Sequence, residues 1–179
     1  NRAYLRIRPI IDFVLAVVLF TFSIPVMFVI AAIIRVDSPG PIIFSQIRVG
    51  RGLRCFRFYK FRTMWQDAKS KFPDLYNYNL SADKIDSYRF KVADDPRLTR
   101  FGRYLRKTSL DELPNFINVV KGEMAIIGPR PEIPQMLVHY QKREMAKFTV
   151  KPGITGYAQV MGRGLLTFKQ TVDYDNKYV

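Results

Sequence analysis

The chain has 179 residues, with 29 Lys and Arg against 15 Asp and Glu, which gives a formal net charge of +14 at pH 7. This length suits one domain rather than two, and a hydrophobic fraction of 48% excludes a disordered basic tail. Cys55 is the single cysteine, so the sequence gives no support for a disulfide or an oxidising compartment. The excess of positive charge predicts a polyanionic partner: nucleic acid, an anionic membrane or a phosphorylated substrate.

The first element is an apolar run from Phe13 to Ile34 that contains no charged side chain. As a helix it would be about 33 Å long, close to the hydrocarbon thickness of a bilayer, which predicts a membrane-associated helix. Ser23 and Pro25 interrupt its middle, where Pro removes a backbone donor. From the residues alone, a kinked spanning helix and a re-entrant helix that returns to its side of entry both stay open.

Basic side chains flank this run on both sides: Arg2, Arg6 and Arg8 before it, and Arg35, Arg48 and Arg51 after it. Basic flanks are typical of cytoplasmic segments. A re-entrant helix keeps both flanks in the cytoplasm, whereas a spanning helix divides them between two compartments.

The segments that follow the apolar run are short. A turn rich in Pro and Gly at residues 37–41 is predicted to end the membrane segment. Two strands are predicted at 42–44 and 56–61, on either side of a turn at 50–52. Residues 65–95 are polar and have no persistent period, which indicates a variable loop with some helix.

Residues 99–107 are predicted to form a short amphipathic helix, whose apolar side chains fall on one face. Its basic side chains recur at every third position, at Arg97, Arg100, Arg103 and Arg106. Such a face suits an anionic membrane surface, and a face that is only solvated is the alternative.

An acidic pair, Asp111 and Glu112, lies at the predicted start of the next helix, which continues to Gly122. With Asp111 as N-cap, Pro114 falls in the first turn, where its missing N–H costs little. The positive end of the helix dipole favours the ionised carboxylates. The pair can serve catalysis or only cap the helix, since Ser109 and Glu112 also match a capping box.

The segment Gly128-Pro-Arg-Pro-Glu132 holds Arg130 between Pro129 and Pro131. Two prolines fix the backbone around one guanidinium, and such rigidity suits a bidentate contact with phosphate. A plain turn with a solvated Arg is the alternative.

The remaining C-terminal signals are weaker. Residues 134–146 are predicted to be helical, and the Gly-containing turns at 151–156 and 162–164 lie beside cations. His139 has no Cys or His nearby, which disfavours a metal site there.

Taken in chain order, these segments resemble the bacterial sugar transferase family, the monotopic phosphoglycosyl transferases. The resemblance extends from about Arg6 to the C-terminus. It depends on five blocks: the apolar helix with Ser23 and Pro25, Lys60-Phe-Arg-Thr-Met64, Thr108-Ser-Leu-Asp-Glu-Leu-Pro114, Gly128-Pro-Arg-Pro-Glu132, and Lys151-Pro-Gly-Ile-Thr-Gly-Tyr-Ala-Gln159 with Gly162-Arg163. Ser and Pro adjoin in some members, whereas Ile24 separates them here. Members commonly continue through further helix, so we expect this sequence to be a piece of a longer polypeptide.

The resemblance implies a two-step transfer of a sugar 1-phosphate from a UDP-sugar to a polyprenyl (undecaprenyl) phosphate, with release of UMP. It implies that Asp111 is the nucleophile, that a covalent aspartyl-phosphosugar forms, and that Glu112 is the second member of the dyad. It also implies Mg²⁺ near Asp111. The cations at matching family positions near the phosphate or nucleotide are Lys60, Arg106, Arg130 and Arg163, and Pro129 and Pro131 belong to the substrate-binding block.

The physical chemistry of this assignment is consistent. An ionised carboxylate is a usable nucleophile, but its target is an anionic phosphate, so attack requires cations to cancel the repulsion. Mg²⁺ and convergent Arg and Lys side chains would supply that charge.

The expected fold is α+β and mostly helical: a membrane re-entrant helix, then amphipathic surface helices and a small sheet. We expect residues 1–36 to form the membrane-associated part and residues 37–179 the cytosolic catalytic domain. The expected location is the bacterial inner membrane, with the site on the cytosolic face and a role in starting a surface glycan such as exopolysaccharide or O-antigen. A homodimer is an open alternative to a monomer.

Two other functions compete with this one. A membrane-tethered basic domain that binds lipid or nucleic acid without catalysis would explain the charge but not the Asp111-Glu112 block, so we expect no nucleic-acid partner. A metal-dependent glycosyltransferase would release UDP, and Asp94-Asp95 could suggest its acidic motif. The Pro96-Arg97 that follows fits the sugar transferase pattern better.

Overall fold

The computed structural model describes residues 2–92, 94–162 and 164–179. Its α-helices are α1 (Arg2–Asp37), α2 (Ala68–Lys71), α3 (Ala82–Ile85), α4 (Arg100–Thr108), α5 (Phe116–Val120), α6 (Tyr157–Gly162) and α7 (Phe168–Tyr178). Its strands are β1 (Ile43–Val49), β2 (Cys55–Phe61), β3 (Ala125–Ile127) and β4 (Gly153–Thr155). Short 3₁₀ helices occur at Arg51–Leu53, Pro73–Tyr76, Leu110–Asn115, Pro134–His139 and Lys142–Thr149.

The predicted fold class, α+β and mostly helical, is confirmed. Instead of one small sheet, the described residues form two sheets of two strands each, β1 with β2 and β3 with β4. The second pair is parallel, with Ala125 opposite Gly153 and Ile127 opposite Thr155.

Helix α1 is long and apolar enough to cross a membrane by length and composition, with a mean hydropathy of 2.7 in its most apolar window. Only 11% of that window is buried within the protein, whereas the core helix of a soluble protein is mostly buried. Phe22 and Phe28 are 79% and 72% exposed. These large apolar surfaces need a nonaqueous partner.

The helical assignment of α1 continues through Ser23 and Pro25. Two side chains in this stretch bond to the helix backbone: the Thr21 hydroxyl donates to the Val17 carbonyl at 2.9 Å, and the Ser23 hydroxyl donates to the Phe20 carbonyl at 2.8 Å. Such side-chain bonds to the helix backbone often accompany bends. A re-entrant bend at Ser23 and Pro25 stays a prediction.

Two compact units interleave along the chain. The first, which we call unit 1, contains Asn1–Gln46, Phe58–Asn77 and Asp95–Val120, and the second, unit 2, contains Ile47–Arg57, Tyr78–Asp94 and Lys121–Val179. The predicted division at residue 36 separates the membrane-associated part from the cytosolic part. It concerns location rather than compactness, and it stays a prediction.

The core of unit 1 joins α1 to the elements that follow it. Ile30 and Ile34 from α1 pack with Phe61 and Leu105, and Leu110 is among the partly buried side chains around them. The C-terminal half of α1 therefore has one face against protein, while its remaining faces are exposed.

The core of unit 2 is aromatic, and it orders a segment that reads as a variable loop. Ile85 packs with Met136, Phe168 and Val172, surrounded by tyrosines and Phe90. The Phe168 N–H donates to the Tyr88 carbonyl at 2.7 Å, which fixes the segment before residue 92 to the start of α7.

Most predicted boundaries agree with the structure. The turn after Asp37 and the helix predicted at 99–107 are confirmed, and residues 65–95 do contain short helices. The structure adds that Thr99 is the N-cap of α4. Other boundaries were wrong. The strands predicted at 42–44 and 56–61 extend to Ile43–Val49 and Cys55–Phe61.

Two further predictions need correction. The α-helical prediction at 134–146 is wrong in type, since 3₁₀ turns form there. The turn predicted at 151–156 contains strand β4, because its backbone pairs with β3.

Candidate active site

Asp111 lies in the 3₁₀ helix Leu110–Asn115, which begins directly after α4. Ser109 joins the two helices in the left-handed conformation, with φ of +62°, and this turns the chain sharply. Asp111 is buried, with 6% of its surface exposed. On either side of the acidic pair, Leu110 and Leu113 pack against the cluster of Ile30, Ile34, Phe61 and Leu105.

The predicted start of this helix was therefore wrong. Asp111 is inside the first 3₁₀ turn rather than at the N-cap, and the regular helix α5 begins only at Phe116. The Ser109 side chain forms no capping bond, so the capping box predicted with Glu112 is absent. The Glu112 N–H instead donates to the Ser109 carbonyl at 3.2 Å. Asp111 owes its position to this tight corner and to its leucine neighbours, not to the dipole of a long helix.

Arg106 belongs to the last turn of α4 and forms an ion pair with Asp95, 3.5 Å between Nη1 and Oδ2. Asp95 is also held in a bidentate pair by Arg97, at 2.8 Å from Nε and 2.7 Å from Nη2. The Arg97 guanidinium stacks 5.0 Å from the centre of the Tyr76 ring and donates to the Leu75 carbonyl. Burial would raise the pKa of Asp95, but the hydrogen bonds and charge of Arg97 and Arg106 bring it below the usual range.

This arrangement corrects the predicted basic stripe. Arg97 is only 5% exposed and lies before the first turn of α4, so it cannot belong to a face for membrane headgroups. Arg100 and Arg103 are exposed on α4. The sequence analysis missed the ion pair between Asp95 and Arg97, although an acidic and a basic residue on either side of Pro96 could have indicated it.

Lys60 is on β2, half-buried, with its ammonium 5.4 Å from the centre of the Phe44 ring. Two residues further on, Arg62 is buried and caps the end of α1. Its Nη2 donates to the carbonyl and hydroxyl of Ser38 at 2.7 and 2.9 Å, and its Nη1 donates to the Pro39 carbonyl. The same motif thus carries a candidate substrate cation and a structural cation.

Lys60, Arg106, Asp111 and Glu112 all belong to unit 1. This unit therefore contains the predicted dyad and two of the predicted cations.

Arg130 belongs to unit 2, in the turn between β3 and the 3₁₀ helix at Pro134–His139. Pro129 and Pro131 are buried, whereas Arg130 between them is half-buried. A buried proline ring can affect a bound nucleotide only by fixing the backbone, so within this block the group able to contact a phosphate is Arg130.

Gly128 packs its backbone directly against the segment before β4. A Cβ there would lie 2.6 Å from the Lys151 carbonyl oxygen and 2.8 Å from the Gly153 nitrogen. Only glycine fits this approach, which aligns β3 with β4 and fixes where the Arg130 turn begins.

Arg163, predicted to contact phosphate or nucleotide, lies outside the described residues. Within the described ranges, no three His, Cys, Asp or Glu side chains form a group that could hold a metal ion. A metal here would need ligands from a substrate. Mg²⁺ is commonly bound in this way, by one or two carboxylates together with substrate phosphates and water.

Comparison with known proteins gives the same family as the sequence motifs. The family model for bacterial sugar transferases matches residues 3–179. The galactosyl transferase CpsE of Streptococcus agalactiae is 46% identical over 82% of this chain and 32% of its own length. The UDP-glucose:undecaprenyl-phosphate glucose-1-phosphate transferase of Xanthomonas campestris is 40% identical over 94% of this chain and 34% of its own length.

This chain thus spans about a third of the length of those two relatives. It covers more of the exopolysaccharide production protein ExoY of Rhizobium meliloti, which is 33% identical over 92% of this chain and 72% of its own length. Because the family model matches nearly the whole chain and ExoY is matched over most of its length, this chain belongs to the bacterial sugar transferase family.

Proposed function

We propose that the protein transfers a sugar 1-phosphate from a UDP-sugar to undecaprenyl phosphate and releases UMP, with Asp111 as the covalent nucleophile. The observation that carries this proposal is the placement of Asp111. Its carboxyl group is buried on a corner that packs, through Leu110 and Leu113, against the end of the apolar helix α1. In a family with relatives named as undecaprenyl-phosphate transferases, this placement supports a nucleophile held near a lipid acceptor.

The reaction has two displacements at one phosphorus atom. A carboxylate oxygen of Asp111 attacks the phosphorus that bears the sugar, and the bond from that phosphorus to the bridging oxygen breaks, so UMP leaves with this oxygen. An oxygen of the lipid phosphate then attacks the same phosphorus. The bond to Asp111 breaks, which restores the carboxylate and gives a lipid diphosphate sugar.

The cations of the chain make attack between anions feasible. Lys60 and Arg106 of unit 1 would neutralise charge on the diphosphate. The family resemblance also assigns phosphate or nucleotide contacts to Arg130 and Arg163, and planar guanidinium groups suit bidentate phosphate contacts. The ion pair with Asp95, at 3.5 Å, would help to orient the Arg106 guanidinium before substrate binds.

Glu112 follows Asp111 in the same 3₁₀ turn and would assist the reaction or the metal site. Asp111 would hold Mg²⁺ together with the diphosphate, and the ion would withdraw charge from the transferring phosphoryl group.

The direct test measures which nucleotide is released. The protein is incubated with Mg²⁺, undecaprenyl phosphate and a panel of UDP-sugars, and UMP and UDP are separated. We expect UMP, whereas UDP would show transfer of the sugar without its phosphate. Salt-sensitive duplex binding with no nucleotide released would show a binding domain.

Asp111→Asn tests the nucleophile, with Asp74→Asn as its matched control. Asp74 is also the second residue of a 3₁₀ helix, but it is exposed. We expect Asp111→Asn to abolish UMP release and the sugar-phosphate mass added to the protein without acceptor. Asp74→Asn should keep both, and full turnover by Asp111→Asn would refute the assignment.

We also propose that α1 re-enters the membrane at Ser23 and Pro25 and that the active site faces the cytosol at the inner membrane. The basic flanks, the missing N–H of Pro25 and the bonds of Thr21 and Ser23 to the helix backbone support a bend. The packing of Ile30 and Ile34 against Phe61 and Leu105 supports a shallow position for the C-terminal half of α1, since those two isoleucines face protein rather than lipid.

Labelling of single cysteines tests this topology. The exposed Cys55 is first replaced by Ser, and Arg6→Cys and Val36→Cys are then made separately at exposed positions on either side of the bend. An impermeant maleimide should label both sites from the cytosolic side. Labelling of one site from the outside would establish a spanning helix.

A further inference from the structure

Unit 2 contains a buried ionic cluster that the proposed reaction does not use. It consists of Glu132, Tyr140, Lys147 and Asp175, and the three charged residues are 5%, 3% and 0% exposed. The Lys147 Nζ lies 2.9 Å from Asp175 Oδ2, 3.6 Å from Glu132 Oε2 and 3.1 Å from the Tyr140 hydroxyl. The Tyr140 hydroxyl donates to Glu132 Oε2 at 2.6 Å. Lys147 thus stands at the centre of the cluster.

The charges in this cluster depend on the lysine. Burial raises the pKa of Asp175, and the nearby Lys147 ammonium opposes that rise. Burial and the neighbouring Glu132 raise the pKa of Tyr140 well above its ordinary value, so the phenol stays neutral and keeps donating. Without the ammonium, two buried carboxyl groups would face each other with their charges unpaired, which is strongly unfavourable.

The two acidic residues that Lys147 pairs border the turn of Arg130, and the Glu132 carboxylate accepts from the Ile133 N–H at 3.0 Å. Glu132 ends this turn, and its backbone forms a bridge with Val49 through N–H···O bonds of 2.7 and 3.3 Å. The backbone N–H of Arg130 is near enough to Asp175 to act against the rise in the pKa of its carboxyl group.

The rest of the turn is held by neighbouring backbone and by one arginine. The Gly153 N–H donates to the Pro129 carbonyl at 2.9 Å, and Arg48 Nη1 donates to the Pro131 carbonyl at 3.3 Å. The cluster therefore completes a set of contacts that fixes the backbone on both sides of the half-buried Arg130.

We infer that Lys147 is a positioning residue for the nucleotide-sugar site: its ammonium holds Glu132 and Asp175 where they fix the backbone of Arg130. The inference rests on the proposed function in taking Arg130 as a phosphate contact. Lys147 itself is only 3% exposed, so we assign it no direct contact with the nucleotide sugar. Its effect should fall on binding of the UDP-sugar rather than on the lipid acceptor.

The test compares Lys147→Met and Lys147→Arg with Lys169→Met. Lys169 is a matched control because it also pairs with a glutamate in unit 2, Glu144, yet it is partly exposed. A small misplacement of a binding group can cost on the order of 100-fold in kcat/KM. We expect Lys147→Met to lose at least about tenfold in kcat/KM for the UDP-sugar through a raised KM, with the KM of undecaprenyl phosphate unchanged.

Lys147→Arg should recover most of this loss, since a guanidinium restores the charge, and Lys169→Met should match the wild type. Equal KM values for Lys147→Met and the wild type would overturn the inference, as would an equal rise of both KM values. If Lys147→Met does not fold, Glu132→Gln/Lys147→Met keeps the formal charge of the cluster and is measured instead. In that double variant a raised KM for the UDP-sugar supports the inference, and a wild-type KM overturns it.

The outcome is separable from the proposed function. A wild-type protein that releases no UMP refutes the function, whereas a wild type that releases UMP, together with a Lys147→Met variant of unchanged KM, refutes only the positioning role.

Discussion

Replacement of Arg62 by Met should detach the end of the apolar helix from the strand that carries Lys60. Arg62 is 6% exposed, and its guanidinium donates to Ser38 and Pro39 just beyond the last turn of α1. Burial lowers the pKa of Arg62, while the charge of Asp37 opposes this. A guanidinium stays charged even so. The substitution thus leaves the carbonyls of Ser38 and Pro39 without their charged hydrogen-bond donor.

The size of the effect follows from these contacts. A hydrogen bond to a charged group contributes about 1.5–3 kcal/mol, and Arg62 makes several. The relief of its own desolvation offsets part of this sum, so we expect a net loss of about 3 kcal/mol in the free energy of unfolding. For a protein of this size, that loss corresponds to a fall of about 6–12 °C in Tm.

The assay is thermal unfolding of the purified protein in one detergent, with Arg35→Met as the control. Arg35 also donates to a carbonyl near the end of α1, that of Gly40 at 3.3 Å, but it is exposed. Its loss should cost less than about 1 kcal/mol. If Arg62→Met lowers Tm no more than Arg35→Met does, the buried cap contributes nothing beyond a surface contact and the reasoning fails.

Two further substitutions test unit 1. Asp95→Asn leaves the buried Arg97 without its charged partner and should lower the free energy of unfolding by about 3–5 kcal/mol. The folded pKa of Asp95 lies below the unfolded value of about 3.9. The stabilisation by this ion pair is therefore present above pH 4 and is lost as the pH falls further. Denaturant unfolding should therefore show the gap between wild type and Asp95→Asn narrowing below pH 4, and a constant gap would contradict the ion pair. Gly102→Ala places a Cβ 2.0 Å from the Thr63 carbonyl oxygen and should lower Tm. The fall should exceed that of Gly52→Ala, where no atom lies within 4 Å and only the φ of +64° opposes the change. Equal falls in Tm would show that α4 can move away from Thr63 at no cost.

Features that depend on a short stretch of sequence were predicted well. The long apolar helix follows from hydropathy alone, and α4 follows from its amphipathic spacing. The structure adds the N-cap, where the Thr99 hydroxyl accepts from the Gly102 N–H at 2.9 Å. The blocks that identify the family also depend on residue order rather than on distant contacts, so the candidate dyad could be named before any coordinates.

Features that depend on distant contacts were not predicted. Arg62 and Ser38 are 24 residues apart. Lys147 reaches Asp175 only because α7 packs against the 3₁₀ helix at Lys142–Thr149. Arg97 shares the spacing of an exposed basic face, yet a neighbouring carboxylate draws it into the interior. The left-handed Ser109 also escaped prediction, since residue type rarely indicates a positive φ outside glycine and asparagine.

The interleaving of the two units has a consequence for how the protein is made and how it can be cut. Unit 1 is complete only when Val120 has been synthesised, because its last segment is Asp95–Val120. During translation α1 leaves the ribosome first, and its apolar face with Ile30 and Ile34 stays uncovered by protein until Leu105 has been synthesised. A truncation between Ile34 and Leu105 therefore leaves α1 without the protein surface that it packs against. Chimaeras with relatives should therefore exchange the whole interleaved region, since no single cut separates one unit from the other.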